Sequence, residues 1–280
     1  MPAALEFILA AASDPSSPYL LLLDEMNLAH VERYFADVLS GMESGQPCLP
    51  NLVKGADGIW RVRPQGPDRI PLPRNLWVVG TVNVDETTYM FSPKVLDRAN
   101  TFEFRVGSEQ ISSQYRKPVA CTAGDPALVR GLLKISRDDS WHIDNPAPHQ
   151  SAVEGKLRQL HAVLSRFALE FGHRVFYEAL RFAALASKSN LNTAETALDR
   201  IMYQKVLPRL HGSRRRLEAP ILALMQFCYE LPQDVSSDGQ LPALELETRE
   251  ASQAKLPLSF EKLRRMLRSL RANQFASFTE

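Results

Sequence analysis

Cysteine is scarce: Cys48, Cys121 and Cys228 are odd in number and far apart, which excludes a disulfide framework and offers no zinc-knuckle spacing. A dominant charge is missing too. Thirty-three Lys plus Arg stand against thirty-two Asp plus Glu, a net +1, so no global field announces a nucleic-acid or membrane partner. Long apolar runs are absent; Tyr19 to Leu23, one of the longest, is far too short to span a bilayer. The stretch before Ile8 lacks a basic start and is interrupted by Glu6, unlike a secretory signal. Internal repeats and low-complexity tracts are also lacking. What remains is a chain of 280 residues, 45% hydrophobic and 23% charged, the composition of an ordinary globular protein with room for one large or two small domains. The expectation is a cytoplasmic protein with reduced thiols and no membrane association.

Residues 1–110 read as alternating strand and helix. Leu5 to Ala12 suits a helix, and Tyr19-Leu20-Leu21-Leu22-Leu23 suits a strand buried on both faces of a parallel sheet. A helix should follow, with Val31, Tyr34, Phe35, Val38, Leu39 and Met42 on one face and Gly41 and Gly45 ending it. Leu76 to Gly80 is a second buried-strand candidate, and Thr101 to Arg105 a third strand candidate with alternating character. Residues 45–73, rich in Gly, Pro and Asn, suit a hairpin with Trp60-Arg61-Val62-Arg63 in one arm. Residues 111–155 show no sustained period and read as a connecting region containing short elements. Residues 156–230 turn helical, with stripes Leu157, Leu160, Leu164, Phe167, Ala168 and Leu198, Ile201, Met202, Val206. Asn192 with Glu195 marks one helix start, Pro220 another, and Ser259 a cap. Residues 231–280 combine a loop with a final amphipathic helix, Leu263, Met266, Leu267 and Leu270 inward and Arg264, Arg268 and Arg271 outward. The predicted class is α/β followed by a small helical domain.

Chemistry concentrates at the ends of the first two strands. Asp24-Glu25 closes the first, where open α/β sheets bind ligands. An Asp there suits Mg²⁺ held through water, and a neighbouring Glu suits a general base. The plain alternative is an Asp capping the next helix. The second strand ends Gly80-Thr81-Val82-Asn83, and Asn83 is either a water-orienting amide or an ordinary turn residue. Arg98, at the end of Ser92-Pro93-Lys94-Val95-Leu96-Asp97-Arg98, suits an arginine finger or a surface ion pair with Asp97 or another acid. Arg214-Arg215-Arg216 and the basic face of 262–271 are candidate contacts for DNA phosphates or simply solvated helix faces. His142, Asp144 and His149 have no metal-site spacing.

Taken in order, Leu-Leu-Leu-Asp24-Glu25-Met26-Asn27, Gly80-Thr81-Val82-Asn83-Val84-Asp85-Glu86-Thr87 and Ser92 to Arg98 resemble the AAA+ ATPases of the McrB, MoxR and dynein-related branch. McrB-type restriction NTPases are the nearest likeness. Phe171-Gly172-His173-Arg174-Val175 is similar to the family's lid segment, and Lys205 to Gly212 to a further block of bacterial McrB-like proteins. The resemblance spans roughly residues 5–230. It implies a partial AAA+ parallel sheet over 1–110 and a helical lid over 156–230. It further implies that Asp24 coordinates Mg²⁺, Glu25 activates water, Asn83 is sensor 1, Arg98 acts in trans and Arg174 is the lid sensor contacting phosphate. The hairpin at 45–73 would meet substrate or partner. Implied cofactors are Mg²⁺ and ATP or GTP. Implied partners are homo- or hetero-oligomeric ring neighbours, with a nuclease or DNA-recognition subunit and DNA reached indirectly. The sensor-1 stretch departs from McrB itself at Val82, Glu86 and Thr87, so GTP specificity is not carried over.

A phosphate-cradling Gly-x-x-x-x-Gly-Lys-Ser/Thr loop is nowhere in the sequence. The single Gly-Lys pair, Gly155-Lys156, has Gln150 and Leu157 where the first Gly and the hydroxyl belong. The resemblance therefore implies the C-terminal part of a longer AAA+ protein or half of a split one, with ring NTPase work in a DNA-directed machine as its function. A non-catalytic AAA+-derived assembly module is the alternative. A DExx-box helicase fits less well, given Thr81-Val82-Asn83 and the helical C-terminal segment.

Overall fold

The computed structural model describes residues 3–83, 91–105, 107–108, 111, 119–189, 193–230 and 243–278. They form a mixed α/β protein of two compact units, Met1–Arg98 with Phe104–Asp139, and Ala99–Glu103 with Ser140–Glu280. No helix among the described residues is long and apolar enough to cross a membrane.

The first unit opens with helix α1 (Ala3–Ser13), which buries Ile8, Leu9 and Ala11. Asp14 stops it, taking the Ser16 amide and hydroxyl on its carboxylate. Strand β1 (Tyr19–Leu23) follows and runs parallel to β6 (Leu76–Gly80), with Tyr19 opposite Leu76 and Leu23 opposite Gly80. Asn75, 2% exposed, fastens this start: its amide nitrogen reaches the carbonyls of Ala11, Asp14 and Ser17. Between them lie α2 (Val31–Tyr34) and α3 (Ala36–Ser44), then short strands β2 (Leu49–Pro50), β3 (Leu52–Lys54), β4 (Trp60–Val62) and β5 (Arg69–Ile70). β3 pairs antiparallel with β4, and β2 antiparallel with β5. Helices α4 (Pro93–Leu96) and α5 (Pro126–Arg137) complete the unit, and Asp125 caps α5 by accepting the Ala127 amide at 2.8 Å. Its core joins Ile8, Leu21, Val31, Phe35, Val38, Leu39, Cys48, Leu49 and Val95.

Three readings of this region need correction. β1 is not buried on both faces, because Leu20 is 62% and Leu22 59% exposed while Leu21 faces the core. Side chains in register share a face of a parallel pair, so Leu20, Trp77, Leu22 and Val79 form one open apolar surface. The helix expected after β1 is broken at Phe35 (φ −115°, ψ 18°), and Gly41 lies inside α3 instead of ending it. A Cβ at Gly41 would stand 2.3 Å from the Cys48 sulfur, so glycine there permits close packing, while Gly45 (φ +65°) makes the left-handed cap. Thr101 to Arg105 forms no strand. Its alternation is right for one, but no described strand pairs with it and Phe104 is 94% exposed.

The second unit is helical apart from one small ladder. Helices α6 (Trp141–Asp144), α7 (Gln150–Ser165), α8 (His173–Ala186) and α9 (Ala194–Ile201) lead into a wide π-type turn at Met202–Val206. Strand β7 (His211–Ser213), helices α10 (Arg214–Glu230), α11 (Ala243–Thr248) and α12 (Pro257–Asn273), and strand β8 (Phe275–Ser277) follow, with β7 antiparallel to β8. Leu157, Leu160, Leu164, Leu198, Ile201, Met202, Val206, Leu263, Met266, Leu267 and Leu270 are all buried in its core. α7 ends at Ser165, so Phe167 and Ala168 (φ 54°) lie beyond the helix they were expected to continue.

Its helix starts differ from expectation. Asn192 lies outside the described residues; Thr193 caps α9 through a capping box with Thr196. Pro220 sits inside α10, a helix that already begins at Arg214. Ser259 lies inside α12, and that helix takes its cap from elsewhere in the unit: the buried Asp199 carboxylate accepts the Leu258 and Ser259 amides at 2.9 and 2.8 Å. A long-range cap of this kind leaves no local sequence signal. Glu103 gathers three partners into one polar knot. It takes Tyr203 Oη (2.5 Å), Lys262 Nζ (3.1 Å) and both terminal nitrogens of Arg265 (3.2 and 3.0 Å). Burial pushes the Glu103 carboxyl upward, but Arg265, Tyr203 and Lys262 together hold it down at about 2.

Candidate functional site

The carboxyl ends of β1 and β6 lie side by side because the two strands are parallel and in register. The chain leaves them at Asp24 and Thr81, and Thr81 knits the two exits together. Its amide donates to the Leu23 carbonyl (3.0 Å), and its own carbonyl accepts the Met26 amide (3.0 Å). Its hydroxyl accepts the Glu25 amide at 2.8 Å and donates to Asp24 Oδ1. Glu25 sits in the left-handed region (φ 48°, ψ 46°), a conformation costing a non-glycine residue about 1–2 kcal/mol. Such a backbone persists where its surroundings over-determine it.

Beyond Glu25 a short 3₁₀ turn (Met26–Leu28) brings Asn27 into the interior, 3% exposed. Its side-chain amide donates to the Asn83 carbonyl at 2.9 Å, and its Oδ1 is buried without a hydrogen-bond partner among the described residues. Asn83 in turn donates its side-chain amide to Glu25 Oε1 at 2.6 Å. Gly80 leaves room for Met26: a Cβ would fall 1.8 Å from the Met26 sulfur, so a larger residue would require that flexible side chain to move. Tyr34 adds a bond from its hydroxyl to the Met26 carbonyl at 2.9 Å.

The structure thus brings Asp24, Glu25 and Asn83 together. Asp24 and Glu25 are both exposed, each with one carboxylate oxygen engaged and the other without a hydrogen bond among the described residues. Asp24 does not cap a helix; its hydrogen bond goes to Thr81. No group of three His, Cys, Asp or Glu side chains among the described residues is arranged to cage a metal. The donor set suits a hard ion that keeps most of its water. The stretch Val84 to Thr87 of the sensor-like motif lies outside the described residues.

Arg98 lies elsewhere in the first unit and is well occupied. Its guanidinium donates to the Leu39 carbonyl at 3.0 Å and to the Lys94 carbonyl, and pairs with Glu43, its side chain only 9% exposed. Arg174 belongs to the second unit, in the first turn of α8, half-buried. Of the basic candidates, Arg214 pairs with Glu218, and Arg271 with Glu218 and Glu247, whereas Arg215, Arg216 and Arg268 are exposed. The basic run is thus partly neutralised inside the unit.

Two participants escaped sequence reading. Thr81 lies within the Gly80 to Asn83 stretch, where a hydroxyl at a strand exit is the available signal. Asn27 directly follows the acidic pair in the same way, and only the turn at Met26 shows that it points inward.

A family model described as a domain of unknown function (DUF8727) matches residues 133–275. That stretch excludes both strand ends. No curated protein and no solved structure matches the chain.

Proposed function

The chain belongs to the DUF8727 family, whose description names no chemistry, and from the strand-end geometry we propose that it forms part of a McrB-like AAA+ NTPase, supplying hydrolytic residues at a phosphate site completed by a phosphate-cradling loop outside this sequence. One observation carries the reading: the amide of Asn83 holds the Glu25 carboxylate at 2.6 Å across two parallel strand ends. A carboxylate fixed on one oxygen and open on the other suits a general base, because its orientation is preset and its second oxygen remains available for a water. Asp24, equally fixed by Thr81, offers one free oxygen to the hydration shell of Mg²⁺. Mg²⁺ bound with ATP or GTP would neutralise phosphate charge there. Sheet ends of this kind are where α/β proteins place ligands.

Arg98 enters the proposal only as a residue that would have to exchange Glu43 for a neighbour's phosphate, and Arg174 only as the position that matches the family's lid segment. The partners proposed are ring neighbours and, through them, a DNA-directed nuclease or recognition subunit.

A second reading has its own observation. Leu20 (62%), Leu22 (59%) and Val79 (45%) leave the sheet face open, as in a module made for assembly instead of turnover. Isolation of the chain from its host with its associated polypeptides, followed by ATP and GTP hydrolysis assays, separates the two. Glu25→Gln should lower turnover about 100-fold or more, the usual contribution of a general base. Unchanged turnover removes Glu25 from the chemistry and leaves the assembly reading.

A further inference from the structure

We propose that Thr81 is the positioning residue of this site: its single hydroxyl sets both acidic residues at once, and the inference rests on the phosphate-site reading above. A hydroxyl has one hydrogen to give and lone pairs to receive. Here the hydrogen goes to Asp24 Oδ1 and a lone pair takes the Glu25 amide at 2.8 Å. The two bonds are coupled, since the hydroxyl hydrogen is committed to Asp24 in the same orientation that presents a lone pair to Glu25.

The backbone of Thr81 adds two more bonds to the same turn, to the Leu23 carbonyl and from the Met26 amide, each 3.0 Å. Those survive any side-chain change. What the hydroxyl adds is specific to the residues between them. It holds Glu25 in its left-handed conformation (φ 48°) and leaves Asp24 with one oxygen for solvent and cation. Without the hydroxyl the turn retains its ends and loses its centre. Asp24 then becomes a free rotor and the Glu25 amide an unpaired donor beside water.

Thr81 is exposed, so valine, which matches its shape and lacks the hydroxyl, should be accommodated without loss of the fold. Serine keeps the hydroxyl and loses only the methyl. The experiment compares wild type, Thr81→Val, Thr81→Ser and Asp24→Asn in the full chain by NMR. Mn²⁺ serves as the metal probe, and amide exchange at Glu25 serves as the metal-independent readout. Thermal melting confirms that each variant is folded.

The expected result is Mn²⁺ broadening of signals around Leu23 to Glu25 in wild type and Thr81→Ser, reduced at least threefold in Thr81→Val and abolished in Asp24→Asn. Amide exchange at Glu25 should rise about tenfold in Thr81→Val alone, the loss expected for one ordinary hydrogen bond. Equal broadening in Thr81→Val and wild type overturns the positioning role while leaving the metal reading intact. Unaltered Glu25 exchange in Thr81→Val overturns the clamp itself. No broadening in wild type, with exchange still dependent on the hydroxyl, overturns the metal reading on which the role depends. Failure of serine to restore what valine removes overturns the assignment to the hydroxyl.

Discussion

Replacing Glu103 by glutamine tests the electrostatic reasoning most severely, because one change strips the charge from a carboxylate that serves three partners. Lys262 is 0% exposed in its side chain, and Arg265 and Glu103 are each 20% exposed. The ammonium of Lys262 also lies 4.4 Å from the centre of the Phe278 ring, which helps a cation but does not replace an anion. Removing one member of a buried ion pair costs about 3–5 kcal/mol, because the other charge is left uncompensated. A second route gives a similar figure. The carboxyl is held at about 2 against an ordinary value of 4.5, and a shift of that size is worth about 3 kcal/mol at most. Its partial exposure places the expected loss at about 2–3 kcal/mol.

The pH dependence follows from the sign of the shift. A depressed carboxyl contributes stability above its unfolded value and loses it as pH falls from 4.5 towards about 2. Urea unfolding of the second unit, followed by far-ultraviolet circular dichroism, should therefore separate Glu103→Gln from wild type near neutral pH. The gap should narrow to under about 1 kcal/mol near the acid end of that window. A Glu103→Gln/Lys262→Met double variant should recover part of the loss, since it removes the more deeply buried of the two cations that Glu103 serves. Equal midpoints at neutral pH, or a gap that ignores acidification, would refute the reasoning.

Two further outcomes are expected. Arg98→Ala should destabilise the first unit of the isolated chain by about 1–3 kcal/mol in a thermal melt, because it removes bonds to Leu39, Lys94 and Glu43; an unchanged melt would argue that Arg98 works only between subunits. The Leu20→Lys/Leu22→Lys pair lies on the open sheet face, so stability should change by less than about 0.5 kcal/mol while self-association measured by sedimentation falls. A marked loss of stability would mean that the face is covered within the chain.

Periodicity revealed several of the elements, because it depends on residues close in sequence, whereas the end signals at Pro220 and Ser259 fell inside helices and α5 lies in a stretch without a sustained period. The apolar runs Tyr19 to Leu23 and Leu76 to Gly80 became the paired strands β1 and β6. The stripes Leu157, Leu160, Leu164 and Leu263, Met266, Leu267, Leu270 became core faces of α7 and α12. Asp24, Glu25 and Asn83 were legible as candidates because strand ends carry ligands in α/β sheets. Their joint placement was not, since a hydrogen bond between positions 25 and 83 depends on strand register.

Exposure was the property that local pattern misjudged. A run of leucines looks the same whether one face or both are covered, so the open side of β1 became visible only with its neighbours in place. Thr101 to Arg105 failed for the related reason that a strand exists only with a partner. Asp199 capping α12 and Glu103 gathering Lys262 and Arg265 join residues too distant for any window to connect. Composition and spacing determined where the paired strands β1 and β6 and the core stripes of α7 and α12 would lie, and which side chains were candidates for chemistry. Tertiary structure alone decided which of those side chains meet, because the free energy of a polar contact depends on distance, burial and competing partners, none of which is encoded in neighbouring letters.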